Sequence, residues 1–74
     1  DVNLAISKAQ AAHPAPAGAR VLYATQGSID PPTFTFFVNK KLPRTYVRYL
    51  ENQLRAQLDL GSTPLKIRVR NRND

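Results

Sequence analysis

The 74-residue chain contains no cysteine, no methionine and no tryptophan. Without cysteine there is no disulfide and no thiolate metal site, so the core must come from aliphatic and aromatic packing. A chain that opens on Asp1 and holds no methionine reads as a piece of a longer protein. Glycine is scarce, at positions 18, 27 and 61 only. None of the three opens the GxxxxGK[ST] pattern whose backbone amides and lysine cradle phosphates, so no nucleotide site is expected in this chain. His13 is the single histidine, and nothing is spaced to join it in the three- or four-ligand set of a zinc site. It reads as a helix-terminal residue without a catalytic role. The carboxylates Asp30, Glu51 and Asp59 are scattered and form no acid–base pair. Glu51 and Arg55 suit an ordinary i,i+4 helix pair. No apolar run approaches the roughly 20 residues that span a bilayer, and no secretory leader is visible. These absences exclude most enzyme classes and point to a cytoplasmic binding module that does not enter membranes.

Basic residues are abundant. Eleven Lys and Arg stand against five acids, giving a net charge of +6 and a pI near 10.4. Such a balance favours an anionic partner, whether nucleic acid, membrane surface or acidic protein. A merely solvated basic surface is the plain alternative. Residues 1–74 make a single domain, expected to be a monomer in isolation. A domain this short buries only roughly 60% of its unfolded surface, so its core is small.

The last apolar run is the most informative. Leu65 to Arg72 alternates apolar and basic residues, and side chains of a strand point alternately to opposite faces. Leu65, Ile67 and Val69 are therefore expected to face a core, and Lys66, Arg68, Arg70 and Arg72 to line a solvent face.

The rest of the chain supplies the layers. Residues 2–12 read as a helix with Val2, Ala5, Ile6, Ala9 and Ala12 near one face, capped by Asp1. It must end before His13-Pro14, and Ala17-Gly18 complete a short stiff linker. Residues 20–26 read as a strand, Gly27 to Pro32 as a loop, and Thr33 to Val38 as a second strand. That loop is too short for a crossover helix, so the two strands should pair antiparallel. Phe34, Phe36 and Val38 share one face, and Phe37 falls on the other. Residues 39–45 could form a short helical turn broken at Pro43. The strongest helix follows, from Arg44 or Thr45 to about Leu60, with Val47, Leu50, Leu54 and Leu58 as its apolar stripe. Gly61 suits the left-handed residue after it, and residues 71–74 read as a frayed tail. The order is α-β-β-(short α)-α-β, a two-layer α+β domain with a three-stranded sheet and both helices on one face.

Several exact stretches carry a resemblance. They are Ala12-His13-Pro14, Leu22-Tyr23-Ala24-Thr25-Gln26, Pro31-Pro32-Thr33-Phe34 and Phe37-Val38-Asn39. Then come Tyr49-Leu50-Glu51-Asn52-Gln53-Leu54-Arg55, Thr63-Pro64 two residues after Gly61, and the basic strand. In this order and spacing the chain resembles the carboxy-terminal KH-like domain of the Der (EngA) family, bacterial GTPases with two tandem GTPase domains. The segments Gly27-Ser28-Ile29-Asp30 and Lys40 to Arg44 depart from the usual family pattern. The resemblance implies a role in assembling the large (50S) ribosomal subunit, with ribosomal RNA or the ribosome as partner. It also implies docking against GTPase domains of the same chain. GTP and magnesium would serve those domains, and no cofactor is expected here.

The chemistry of binding is weighed on the basic residues. An RNA-gripping KH domain uses a GxxG loop to clamp the backbone. The corresponding Leu42-Pro43-Arg44-Thr45 has no glycine, so the clamp is expected to be missing. Lys40, Lys41, Arg44 and Arg48 remain as point charges for phosphate, or as a solvated surface. The stripe of Lys66, Arg68, Arg70 and Arg72 has three readings: RNA phosphate contact, docking to acidic surfaces of the GTPase domains, or a solvated sheet face. Most of the six aromatics, Tyr23 among them, are assigned to the core. Phe37 is the exception.

Overall fold

The computed structural model describes residues 1–72. Helix α1 spans Val2–Ala12, a 3-10 turn Pro16–Gly18, strand β1 Val21–Ile29, β2 Pro32–Val38, helix α2 Arg44–Gln57 and β3 Lys66–Asn71. The sheet order is β1-β2-β3, with β1 antiparallel and β3 parallel to the central β2. Parallel neighbours need a crossover, and α2 supplies it. Both helices cover one sheet face, as the alternation patterns require, and the other face is open.

The Asp1 carboxylate caps α1 by accepting from the amides of Asn3 (2.7 Å) and Leu4 (3.2 Å). Ala5, Ile6 and Ala9 are buried, whereas Ala12 is exposed. The small side chains of Ala5 and Ala9 let α2 come close, and α2 then bonds to the carbonyls of α1. The Tyr49 hydroxyl donates to Ala9 O and the Tyr46 hydroxyl to His13 O, both at 2.7 Å, and the Gln57 amide donates to Ala5 O at 3.4 Å. Ala9 O also accepts from the His13 amide at 3.1 Å, so Tyr49 is its second donor, while the Tyr46 hydroxyl takes up the His13 carbonyl just past the helix end. The core centres on Phe36, Leu50 and Leu54, each 0% exposed, with Phe34, Val38, Val21 and Leu42 around them.

The structure corrects several boundaries. Residues 40–43 form no helical turn. Leu42 is drawn into the core, and as the residue before Pro43 it is disfavoured in the helical region. The segment expected as a loop is mostly strand: β1 runs to Ile29, which pairs with Pro32, leaving only Asp30-Pro31 as the turn. Proline tolerates the first position of a strand because no ladder bond is needed there. Helix α2 stops at Gln57, short of Leu60, and Asp59 takes a left-handed conformation before Gly61 does. Asn71 belongs to β3 and pairs with Val38, and the Arg72 amide donates to Val38 O at 3.0 Å. Ordered pairing thus continues into the expected tail, while residues 73 and 74 lie outside the described residues. Val69 was expected in the core, but it is 43% exposed. Its register partner is the buried Phe36, so its parity is right. β3 is an edge strand with a neighbour on one side only, and the packed apolar cluster takes in Leu65 and Ile67 but not Val69.

Candidate nucleic-acid interface

Strand β1 has nine residues where β2 has seven, and the difference is absorbed by two bulges. The first falls between Val21, paired with Val38, and Tyr23, paired with Phe37. One extra residue resets the alternation. Val21 and Ala24 are therefore both buried although three apart, and Tyr23 turns to the open face, 42% exposed. This overturns the assignment of Tyr23 to the core. The signal was present in the sequence: Val21-Leu22-Tyr23-Ala24 does not alternate, as a bulge-free strand with one wet face would.

With that parity the open face is a three-by-three array set by the two registers. Tyr23, Phe37 and Arg70 form one row. Thr25, Thr35 and Arg68 form the next, and Ser28, Thr33 and Lys66 the third. The Tyr23 and Phe37 rings stack with centroids 4.7 Å apart and planes 19° from parallel. Hydroxyls occupy the middle of the array and cations one side. No acid stands on it among the described residues: Asp1 caps α1, Asp30 is in the hairpin turn, Glu51 is on α2 and Asp59 just beyond it. Lys66, Arg68 and Arg70 are all exposed, as is Arg72 immediately past the strand. Residues two apart on a strand are roughly 6–7 Å apart, close to the spacing of successive phosphates along a nucleic-acid strand.

The remaining candidates divide. At the sheet end marked by Val38, three segments meet. The Arg20 amide donates to Asn39 Oδ1 at 2.8 Å, the Asn39 amide to Arg20 O at 3.3 Å, and the Arg72 amide to Val38 O. This brings Arg72 and Arg20, which the sequence reading passed over, to the same end of the sheet, where the segment carrying Lys40 and Lys41 begins. Lys40 is partly committed, since its Nζ donates to the Ala17 carbonyl at 2.8 Å and ties down the left-handed turn there. Arg44 and Arg48 stand one turn apart on α2, in the helical layer and away from the open sheet face. Arg55 belongs to the fold. Its guanidinium pairs with Glu51 at 3.0 Å and also donates to the carbonyls of Gly61 and Thr63, pinning the entry to β3.

Where a clamp would sit, Leu42 is buried and Pro43 precedes the first residue of α2. A larger hollow of about 760 Å³ lies between α1 and the outer edge of β1, lined by Asn3, Gln10, Arg20 and Leu22 among others. Its amide side chains are already bonded to β1, and Arg20 is its one cation. Among the described residues no three histidines or carboxylates stand close enough to hold a metal ion. No helix of the described residues is long and apolar enough to cross a membrane.

Two helices over one face of a three-stranded sheet, in this order, make a KH-like α+β domain. Residues 1–70 match the family model described as the KH-domain-like, carboxy-terminal part of EngA bacterial GTPase enzymes, and the chain belongs to that family. It is 42% identical over 77 residues to GTPase Der of Limosilactobacillus fermentum, which covers 96% of this chain and 18% of that protein. To GTPase Der of Staphylococcus aureus (strain JH9) it is 51% identical over 55 residues, 72% of this chain and 13% of that protein. The chain therefore spans less than a fifth of these relatives.

Proposed function

We propose that this domain is a non-catalytic RNA- and ribosome-binding module of a Der-type GTPase that acts in assembly of the large ribosomal subunit in the cytoplasm. The single observation that carries the reading is the open face. Lys66, Arg68 and Arg70 project from one strand beside rows of hydroxyls, and no acid of the described residues opposes them. Ribosomal RNA supplies phosphates at matching spacing, and each neutralised phosphate releases counterions. In this reading GTP and magnesium belong to GTPase domains elsewhere in the parent protein, and the domain regulates or localises their activity.

The test is binding of large-subunit RNA across a salt series. Affinity is expected to fall steeply with salt and to depend little on sequence, with a dissociation constant in the nonspecific range of about 10⁻⁴–10⁻⁶ M. Replacing Lys66, Arg68 and Arg70 with glutamine should lower the salt slope by about two units, one contact each at roughly 0.7 per single-strand phosphate. Unchanged affinity and slope would move the RNA surface to Lys41, Arg44 and Arg48.

A second reading makes the domain a docking module for its parent's GTPase domains. It draws on different residues, Leu4 on α1 and Ile29 at the hairpin tip, which are 55% and 83% exposed. Failure of RNA binding altogether would favour it.

A further inference from the structure

We infer that the Tyr23–Phe37 pair is a stacking platform for an unpaired base, which makes single-stranded RNA the ligand of the open face. The inference rests on the RNA reading above and narrows it.

Phosphate attraction alone does not distinguish a duplex from a single strand, because both carry the charge. The aromatic row does. Tyr23 and Phe37 are cross-strand neighbours whose rings already stack, 4.7 Å apart and 19° from parallel, on a face with no helix over it. The Tyr23 ring, 42% exposed, loses much of the benefit of burial, and it meets the half-buried Phe37 ring away from the core. Each base has a π-face, so a splayed nucleotide can extend such a stack as a third ring. In a duplex the bases are stacked on one another and their faces are closed to the protein.

The charges beside the pair fit the rest of a nucleotide. A shallow hollow of about 360 Å³ is lined by Tyr23, Phe37, Val69, Arg70, Asn71 and Arg72. Arg70 is the register partner of Phe37, and both Arg70 and Arg72 are exposed. A base lying on the rings would bring its 5′ or 3′ phosphate to one of these guanidiniums. The strand would then run along the hydroxyl rows toward Arg68 and Lys66. Thr25, Thr35 and Ser28 offer hydroxyls to sugars and bases on that path, and Thr33, whose hydroxyl donates to the Pro31 carbonyl at 3.1 Å, can only accept.

The experiment compares a twelve-nucleotide single-stranded RNA with a duplex of the same sequence, by fluorescence anisotropy at fixed salt. The protein is the chain itself and its variants Tyr23→Leu, Phe37→Leu and Lys66→Gln/Arg68→Gln/Arg70→Gln. Leucine keeps apolar bulk on the sheet and removes the π-face. The expected result is preference for the single strand, and roughly tenfold weaker binding of it by Tyr23→Leu with the salt slope unchanged. Base protons of the RNA should also shift upfield in NMR spectra from the ring current of the pair, a readout independent of variant stability. Equal affinity for both forms, with no ring-current shift, overturns the inference. If the glutamine variant still flattens the salt slope in that case, the phosphate reading stands alone. If neither RNA binds, both fall, and the docking reading takes their place.

Discussion

Gln10 on α1 and Val21 on β1 exchange two hydrogen bonds as if they faced each other in adjacent strands. The Val21 amide donates to Gln10 Oε1 at 2.7 Å, and Gln10 Nε2 donates to the Val21 carbonyl at 3.1 Å. Two turns earlier Asn3 does the same for Ala24, accepting from its amide at 2.8 Å and donating to its carbonyl at 3.1 Å. An unpaired sheet edge is a template for another chain, and proteins cover or charge such edges. Here a helix covers one edge with two side-chain amides, and the Lys and Arg residues of β3 charge the opposite one. The bulge after Val21 is what aims the backbone groups of both residue 21 and residue 24 outward.

Gln10→Leu removes both partners of Val21 at a half-buried site. Leaving a buried donor and acceptor unmade costs about 1–3 kcal/mol. The urea midpoint should drop accordingly, with the slope of the transition kept. An unchanged midpoint would mean that water replaces the amide without loss.

The core can be tested by contrast. Leu54 is fully buried between α2 and the sheet, and Leu54→Ala should cost about 2–5 kcal/mol. That is comparable with the whole stability of many small domains. Val69→Ala, on the same sheet face but 43% exposed, should change stability by less than about 1 kcal/mol. Equal losses for the two would show that β3 is covered in solution by something on its core-facing side.

Alkaline pH should weaken the fold through Tyr46. Burial raises the pKa of its phenol above the usual 10.0, and the neighbouring Tyr49 pushes it the same way. The neutral hydroxyl donates to His13 O, and the phenolate cannot. The folded state thus holds this proton more tightly than the unfolded chain does. The contribution is complete below pH 10 and is lost as pH rises through the folded value. Urea midpoints measured from neutral pH upward should therefore decline above about pH 10, and Tyr46→Phe should decline less steeply.

Much of the fold was legible because local rules and packing agree. The Asp1 cap, the stop before His13-Pro14, the stripe of Val47, Leu50, Leu54 and Leu58, and the Phe34-Phe36-Val38 face each follow from residue type and period. The basic stripe was legible for the same reason, since Lys66, Arg68 and Arg70 alternate with apolar neighbours. Tyr23 was misplaced because the bulge after Val21 inverts the parity of the strand until the second bulge resets it after Gln26, and a bulge is a property of two strands. Asn3 and Gln10 were passed over because polar residues on a helix read as solvent-facing until the edge they reach is known.

By itself the sequence determined where the two helices and the cores of the three strands lie, that the chain holds no phosphate-loop motif, and that cations share one face of its last strand. Periodicity and turn chemistry are local, so they survive without coordinates. Tertiary structure decided the rest. It placed β3 parallel to β2, left Val69 on an uncovered edge, and brought Arg20 to the sheet end where Arg72 lies. It also set Tyr23 against Phe37 beside Arg70. Register between strands far apart in the chain fixes those meetings, and register is a balance of packing, bulges and edge contacts that no single segment contains.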